Sequence, residues 1–147
     1  HNIVLRVPLL IGGGGSLEAA GFIGKTIRLV EQGRPQAIDD LCVRYPTWIE
    51  DVAAVIEFLV EGRHRGIWHY SGREAGTKYD WTQIIARALG MDAAHIRRGK
   101  DPSVEGARRP RDSHLSVEKI RAAGFDRFTP FEEVLRQTGL TGQTRRT

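Results

Sequence analysis

The stretch IVLRVPLLIGGGGS, residues 3–16, decides how the fold is read. Residues 3–7 are an apolar, β-branched run closed by Pro8, which predicts a largely buried strand of a parallel sheet. Such a strand needs neighbours on both edges. Four consecutive glycines, Gly12 to Gly15, follow it, and Ser16 is placed to cap a helix running to about Gln32. On that helix Ala20, Ile23, Ile27 and Val30 fall on one stripe, and Gly33 stands where a helix stop belongs. Gly21 and Gly24 would let another element approach closely.

Working outward, a short extended piece is expected near residues 36–43. Thr47 and Glu50 have the spacing of a capping box, and Ile49, Ala53, Ile56, Leu59 and Val60 give the apolar face of the helix that should follow, closed by Gly62. GIWHY, residues 66–70, reads as a strand ending at the turn Ser71-Gly72. Thr77 and Asp80 repeat the box ahead of a stripe of Trp81, Ile84, Ile85, Ala88 and Leu89, stopped by Gly90. Residues 95–98 suggest one more strand. Ser116 should cap a helix that Gly124 ends, and Thr129, Pro130 and Glu132 a last helix to about Thr138. The polar tail, residues 141–147, is expected to be disordered. Strands alternating with helices predict an α/β architecture.

The 147 residues fit one domain, and 40% hydrophobic with 27% charged residues is ordinary for a globular protein. The formal charge of +4 is unevenly placed: residues 1–90 carry ten basic and ten acidic side chains, so the whole excess lies in the last third. That favours an anionic ligand near the C-terminal segments, while +4 and an aromatic content of 7% argue against a dedicated nucleic-acid binder. Cys42 is the single cysteine, which excludes an intrachain disulfide and sets a cytoplasmic expectation. No apolar run approaches the length of a membrane span.

The anion-binding composition concentrates at residues 106–125, GARRPRDSHLSVEKIRAAGF. Pro110 fixes its own φ and pushes Arg109 toward an extended backbone, so Arg108, Arg109 and Arg111 would present their guanidinium forks from a stiff segment. The competing reading is a solvated basic loop with Asp112 as an internal ion-pair partner. Other chemistries lack their spacing. Gly24-Lys25-Thr26 has the letters of a Walker loop but lies inside the helix stripe, without the four-residue gap that makes the cradle. The glycine run lacks the acidic residue that a dinucleotide fingerprint requires. The five histidines show no metal-ligand spacing, and His69 reads as a packed, hydrogen-bonded strand residue. Asp112, Ser113 and His114 are sequence neighbours and cannot form a hydrolytic triad. Trp48, Trp68 and Trp81 suit core or ligand-wall roles equally.

Four blocks in order carry a resemblance: Leu5-Arg6-Val7-Pro8 leading to Gly12, RYPTWIEDVA at 44–53, GIWHYSG at 66–72, and residues 106–115 with Lys119, Gly124 and Thr129-Pro130. Together they span about residues 3–135, and the chain resembles the C-terminal half of the extended short-chain dehydrogenase/reductase superfamily. Within it the resemblance is to the dTDP-4-dehydrorhamnose reductase group and the related β regulatory subunit of methionine adenosyltransferase. The resemblance implies one terminal strand of a Rossmann sheet within residues 1–15, then a small helix-rich substrate-binding lobe at 16–140.

It also implies an NADP or NAD cofactor held mainly by an upstream half, with Pro8 and Leu9 at the cofactor–substrate boundary. Thr47, Arg108, Arg109 and Arg111 would border a nucleotide-sugar cleft, where arginine could meet a diphosphate. The family's cofactor fingerprint and Tyr-x-x-x-Lys pair are absent: Glu74 stands four positions after Tyr70, and Gln83 four after Tyr79. Without a tyrosine acid, hydride transfer to a carbonyl has no proton source, so this chain alone is expected to bind and not to turn over. Reductases of the group tend to carry aromatics where this chain has Leu9 and Ile11, which tilts the resemblance toward the regulatory branch and a partner enzyme. If residue 1 were a true end, the open edge of residues 3–7 would drive a homodimer or strand exchange.

Overall fold

The structure, a computed structural model, describes residues 2–13, 16–99 and 110–140. The first strand, β1 (Ile3–Arg6), is followed by a two-residue strand, β2 (Leu10–Ile11), and by helix α1 (Phe22–Glu31). Then come β3 (Gln36–Asp39), β4 (Thr47–Trp48), α2 (Ile49–Glu61), β5 (Gly66–His69) and α3 (Lys78–Leu89). The chain continues through β6 (Ile96–Gly99), α4 (Glu118–Ala122) and α5 (Phe131–Gln137). The described strands form three parallel pairs, β1 with β5, β2 with β4 and β3 with β6, so the α/β expectation holds in its parallel form.

The first strand is parallel as expected, with Ile3 in register with Gly66 and Arg6 with His69. Its burial is one-sided, however. Ile3 and Leu5 turn inward, while Val4 and its register partner Ile67 are 47% and 49% exposed. Among the described residues β1 has one sheet neighbour, and the β1–β5 pair is packed on the face of Ile3 and Leu5 but exposed on the face of Val4 and Ile67, whereas a strand apolar throughout is covered on both.

Three apolar cores organise the elements. Ile11 and Ala20, with Ile23 and Ile27 of α1, pack against Trp81 and Ile85 of α3 and against Phe131, Val134 and Leu135 of α5. A second core joins α2, β5 and α4 through Val55, Leu59, Trp68, Tyr70, Ile120 and Phe125, with Ile3 and Leu5 of β1 packed on it. The third, around Val30, Ile38, Ala86 and Ile96, seats the β3–β6 pair on α1 and α3. α2, β5 and α4 belong with the first strand because parallel pairing to β1 and the core beneath it hold them there.

The helix-end expectations divide by what each polar side chain finds. Thr77 and Asp80 form the predicted capping box, and Gly90 closes α3 in the left-handed conformation at φ 67°. Ser16 instead accepts from the amide of Ala19 in a turn, and α1 starts six residues later, after Gly21 at φ 55°. Gly24 supplies the close approach: a Cβ there would overlap the Leu17 carbonyl. The Thr47–Glu50 box does not form, because Thr47 lies in β4 and α2 begins after Trp48 with no side-chain cap. Ser116 receives only a long 3.4 Å bond from the Glu118 amide. Thr129 does not cap α5 either; it is claimed by Asp51, and Glu74 accepts from the first amide of that helix, Phe131.

Candidate functional site

Residues 43–48 join two segments that are far apart in sequence. At one end the Val43 amide donates to the Arg111 carbonyl at 2.7 Å, and the Ser113 amide and hydroxyl donate back to the Val43 carbonyl. At the other end the Thr47 amide donates to the Leu9 carbonyl at 2.8 Å, and Leu10–Ile11 runs parallel to Thr47–Trp48. The backbone thus ties the chain after Pro8 and the chain after Pro110 to one short extended segment. A third strand of contact comes from the turn after β5: Gly72 donates to the Thr47 hydroxyl, and Gly76 bridges to Arg44. Gly72 is required there because a Cβ would overlap the Pro46 carbonyl.

A cleft of about 280 Å³ opens between these segments, lined by Cys42, Val43, Arg44, Pro110 and Ser113. Among the described lining residues Arg44 carries the charge. One terminal nitrogen holds Asp39 at 3.1 Å, while its Nε is buried with no partner among the described residues. Burial pushes the Asp39 carboxyl upward, but the amides of Leu41 and Cys42 together with Arg44 outweigh it and leave the group below its ordinary value. Asp39 is therefore an ionised anchor that aims the guanidinium. Beside it the Tyr45 ring lies 5.0 Å from that of His114. Burial raises the Tyr45 phenol above its usual value, and the Asp112 carboxylate adds to the shift as a charge and as an acceptor.

The expected site residues are distributed unevenly around this cleft. Pro8 is half-buried beyond the C-terminal end of β1, where the Arg6 carbonyl accepts from Tyr70. Leu9 packs on the core of α1, α3 and α5, and Ile11 is buried within it, so the two aliphatic positions where reductases of the group tend to carry aromatics are occupied by packing. Thr47 is 1% exposed and its hydroxyl is spent on the Tyr45 carbonyl and the Gly72 amide. It locks the turn of residues 71–76 and offers no free hydroxyl to a ligand. Arg111 is exposed and anchored by its own carbonyl; Arg108 and Arg109 lie outside the described residues.

Two residues that matter went unread. Arg44 stood inside a quoted block, and its position after Asp39-Asp40 was the available signal. Asp51, 2% exposed in the first turn of α2, accepts from Arg127 Nε and from the amide and hydroxyl of Thr129. Tyr70 completes that knot by donating to the Arg127 carbonyl. His69 is half-buried, but its Nε2 has no hydrogen-bond partner among the described residues, unlike the bonded strand histidine expected. Of the tryptophans, Trp68 and Trp81 are core. Trp48 is a wall of a second cleft, of about 430 Å³, shared with Gly13, Glu50, Arg127, Gln137 and Thr138.

The chain is similar to known proteins in sequence and in fold. The family model described as RmlD substrate binding domain matches residues 1–141. Methionine adenosyltransferase 2 subunit beta from Pongo abelii is 34% identical over 133 residues, 87% of this chain and 40% of that protein. A dTDP-4-keto-6-deoxy-D-glucose reductase from Streptomyces niveus is 30% identical over 71% of this chain and 36% of its own length. The crystal structure of dTDP-4-dehydrorhamnose reductase from Bacillus anthracis, in complex with NADP, superposes with a TM-score of 0.80 at 21% identity, covering 95% of this chain and 49% of that one. The chain spans less than half the length of each of these relatives. The match across residues 1–141, with the parallel α/β framework it accompanies, shows that the chain belongs to the RmlD substrate binding domain family.

Proposed function

We propose that this chain is the substrate-binding part of an NAD(P)-dependent nucleotide-sugar reductase of the dTDP-4-dehydrorhamnose reductase type. The observation that carries the reading is Arg44: a guanidinium held by an ionised Asp39, with a buried, unpartnered Nε among the described residues, on the wall of a cleft of ligand-subsite size. A buried donor without an acceptor costs about 1–3 kcal/mol, and a diphosphate oxygen would satisfy it. Arg111, next to Pro110 of the cleft wall, would add positive charge for the same ligand; Arg108 and Arg109, outside the described residues, are proposed to share that role, and Thr47 would act by holding the turn of residues 71–76. For the nicotinamide cofactor this chain offers Pro8 as an apolar surface at the end of β1. Leu9, turned into the core, would set its position from behind. The cofactor supplies the hydride; these residues position and shield.

The test uses the longer parent protein with NADPH and a 4-keto nucleotide sugar. Cofactor oxidation that depends on Arg44 is expected. Tight NADPH binding with no oxidation by any such sugar would overturn the reading.

A second reading is favoured by the relatives named methionine adenosyltransferase 2 subunit beta and by the aliphatic Leu9 and Ile11. In it the parent protein is a non-catalytic regulatory subunit or scaffold that holds a partner enzyme. Sedimentation of the parent with a methionine adenosyltransferase catalytic subunit distinguishes the two: a stable complex without sugar reduction supports this reading, and independent sedimentation removes it.

A further inference from the structure

Arg44 is held from two sides, and the second leads into the core. Its guanidinium is aimed by Asp39, but its backbone is placed by Gly76. The Arg44 amide donates to the Gly76 carbonyl at 2.8 Å, and the Gly76 amide donates back to the Arg44 carbonyl at 3.2 Å. On a side chain of this length a small shift at Cα becomes a larger one at Nε, and misplaced contacts lose binding steeply.

The Gly76 carbonyl has a second donor. The Trp81 indole N–H, from the start of α3, reaches it at 3.0 Å. Trp81 is 2% exposed and packs in the core of α1, α3 and α5, with the Phe131 ring at 4.6 Å between centres. A carbonyl oxygen has two lone pairs, so one acceptor serves both the Arg44 amide and the indole. Gly76 also lies against the ring itself: a Cβ there would stand 3.0 Å from the indole, tighter than an ordinary contact. A buried indole N–H needs a partner, and here the partner is the group that fixes the Arg44 backbone.

We infer that Trp81 is a positioning residue for the anion subsite: through the Gly76 carbonyl, its indole N–H fixes where Arg44 presents its unpartnered Nε to a diphosphate. The inference rests on the reading of Arg44 as the phosphate contact. Trp81 itself stays in the core and acts through one backbone carbonyl.

The test is a double-mutant cycle, read by calorimetric titration of dTDP-glucose into the full chain, Trp81→Phe, Arg44→Met and the two combined. Phenylalanine keeps a ring beside Phe131 and deletes the N–H. Trp81→Phe should bind about fivefold more weakly than the parent, the scale of one hydrogen bond, and should add no loss in the Arg44→Met background. A general loosening of the core would weaken both backgrounds alike, and that result overturns the proposal. Amide exchange gives a second readout. In Trp81→Phe the Arg44 amide should exchange faster, while the Val43 amide, bonded to Arg111 instead, should not change. Unchanged exchange at Arg44 overturns the proposal. If the phenylalanine variant does not fold, Gly76→Ala carries the same comparison, because its Cβ forces Gly76 and the indole apart with the core still filled. Parent-like affinity in these variants, with binding lost in Arg44→Met, removes the role of Trp81 and leaves that of Arg44. No binding to a folded parent removes the Arg44 reading and this inference with it.

Discussion

Asp51 and Thr129, 78 residues apart in sequence, are joined by two hydrogen bonds: the Thr129 amide and hydroxyl both donate to the one carboxylate, at 2.7 and 2.8 Å. With Arg127 Nε at 3.0 Å this knot fixes the start of α2 to the chain entering α5. Removing the carboxylate strands a half-buried amide and hydroxyl, whereas Arg127 is half exposed and can turn to water. Asp51→Ala should therefore cost about 2–3 kcal/mol, and Thr129→Val about 1 kcal/mol, measured by urea unfolding.

Two glycines should respond differently to the same added methyl group. At Gly72 a Cβ would overlap the Pro46 carbonyl, so Gly72→Ala must displace the turn that Thr47 holds and should cost about 2 kcal/mol. At Gly90 nothing among the described residues lies within 4 Å, and Gly90→Ala bears the left-handed backbone at φ 67°, about 1 kcal/mol. Thermal unfolding of the two variants ranks them.

Alkaline pH should weaken the fold through Tyr70. Burial, reinforced by Asp51, raises its phenol well above the ordinary value of 10. The folded state thus keeps a proton that the unfolded chain releases, so this contribution is intact below pH 10 and declines as pH rises beyond it. Unfolding free energy of the parent should fall above pH 10, and Tyr70→Phe should flatten that decline. An equal decline in the variant would assign it elsewhere.

Acid should act on the opposite sign through Asp39. Its folded value lies below 3.8, so the stability it contributes is present above pH 3.8 and is lost as pH falls through the folded value. Asp39→Asn should lower stability at neutral pH and reduce the loss on acidification, read from unfolding midpoints between neutrality and pH 2.

The parallel architecture was legible because local signals agreed: the run at residues 3–7, the Thr77–Asp80 box and the glycine stops each act within a few residues. Sequence reading failed where a side chain had a distant competitor. Thr47 was taken from its box by Gly72, and Thr129 from its helix by Asp51, contacts that no spacing rule contains. At the candidate cleft, the residue proposed here as the ligand contact, Arg44, lies inside the block at 44–53, while the sequence reading rested on the denser arginine cluster. Composition marks where charge accumulates, and only packing shows which guanidinium is buried with a donor to spare.

The most direct measurement is a calorimetric titration of a nucleoside diphosphate sugar, dTDP-glucose, into the chain and into Arg44→Met. The account predicts saturable binding to the parent chain that weakens at least about tenfold in the variant, the scale of losing one charge-assisted bond to a phosphate. Equal affinity in the two proteins, or no binding to a folded parent chain, would contradict it.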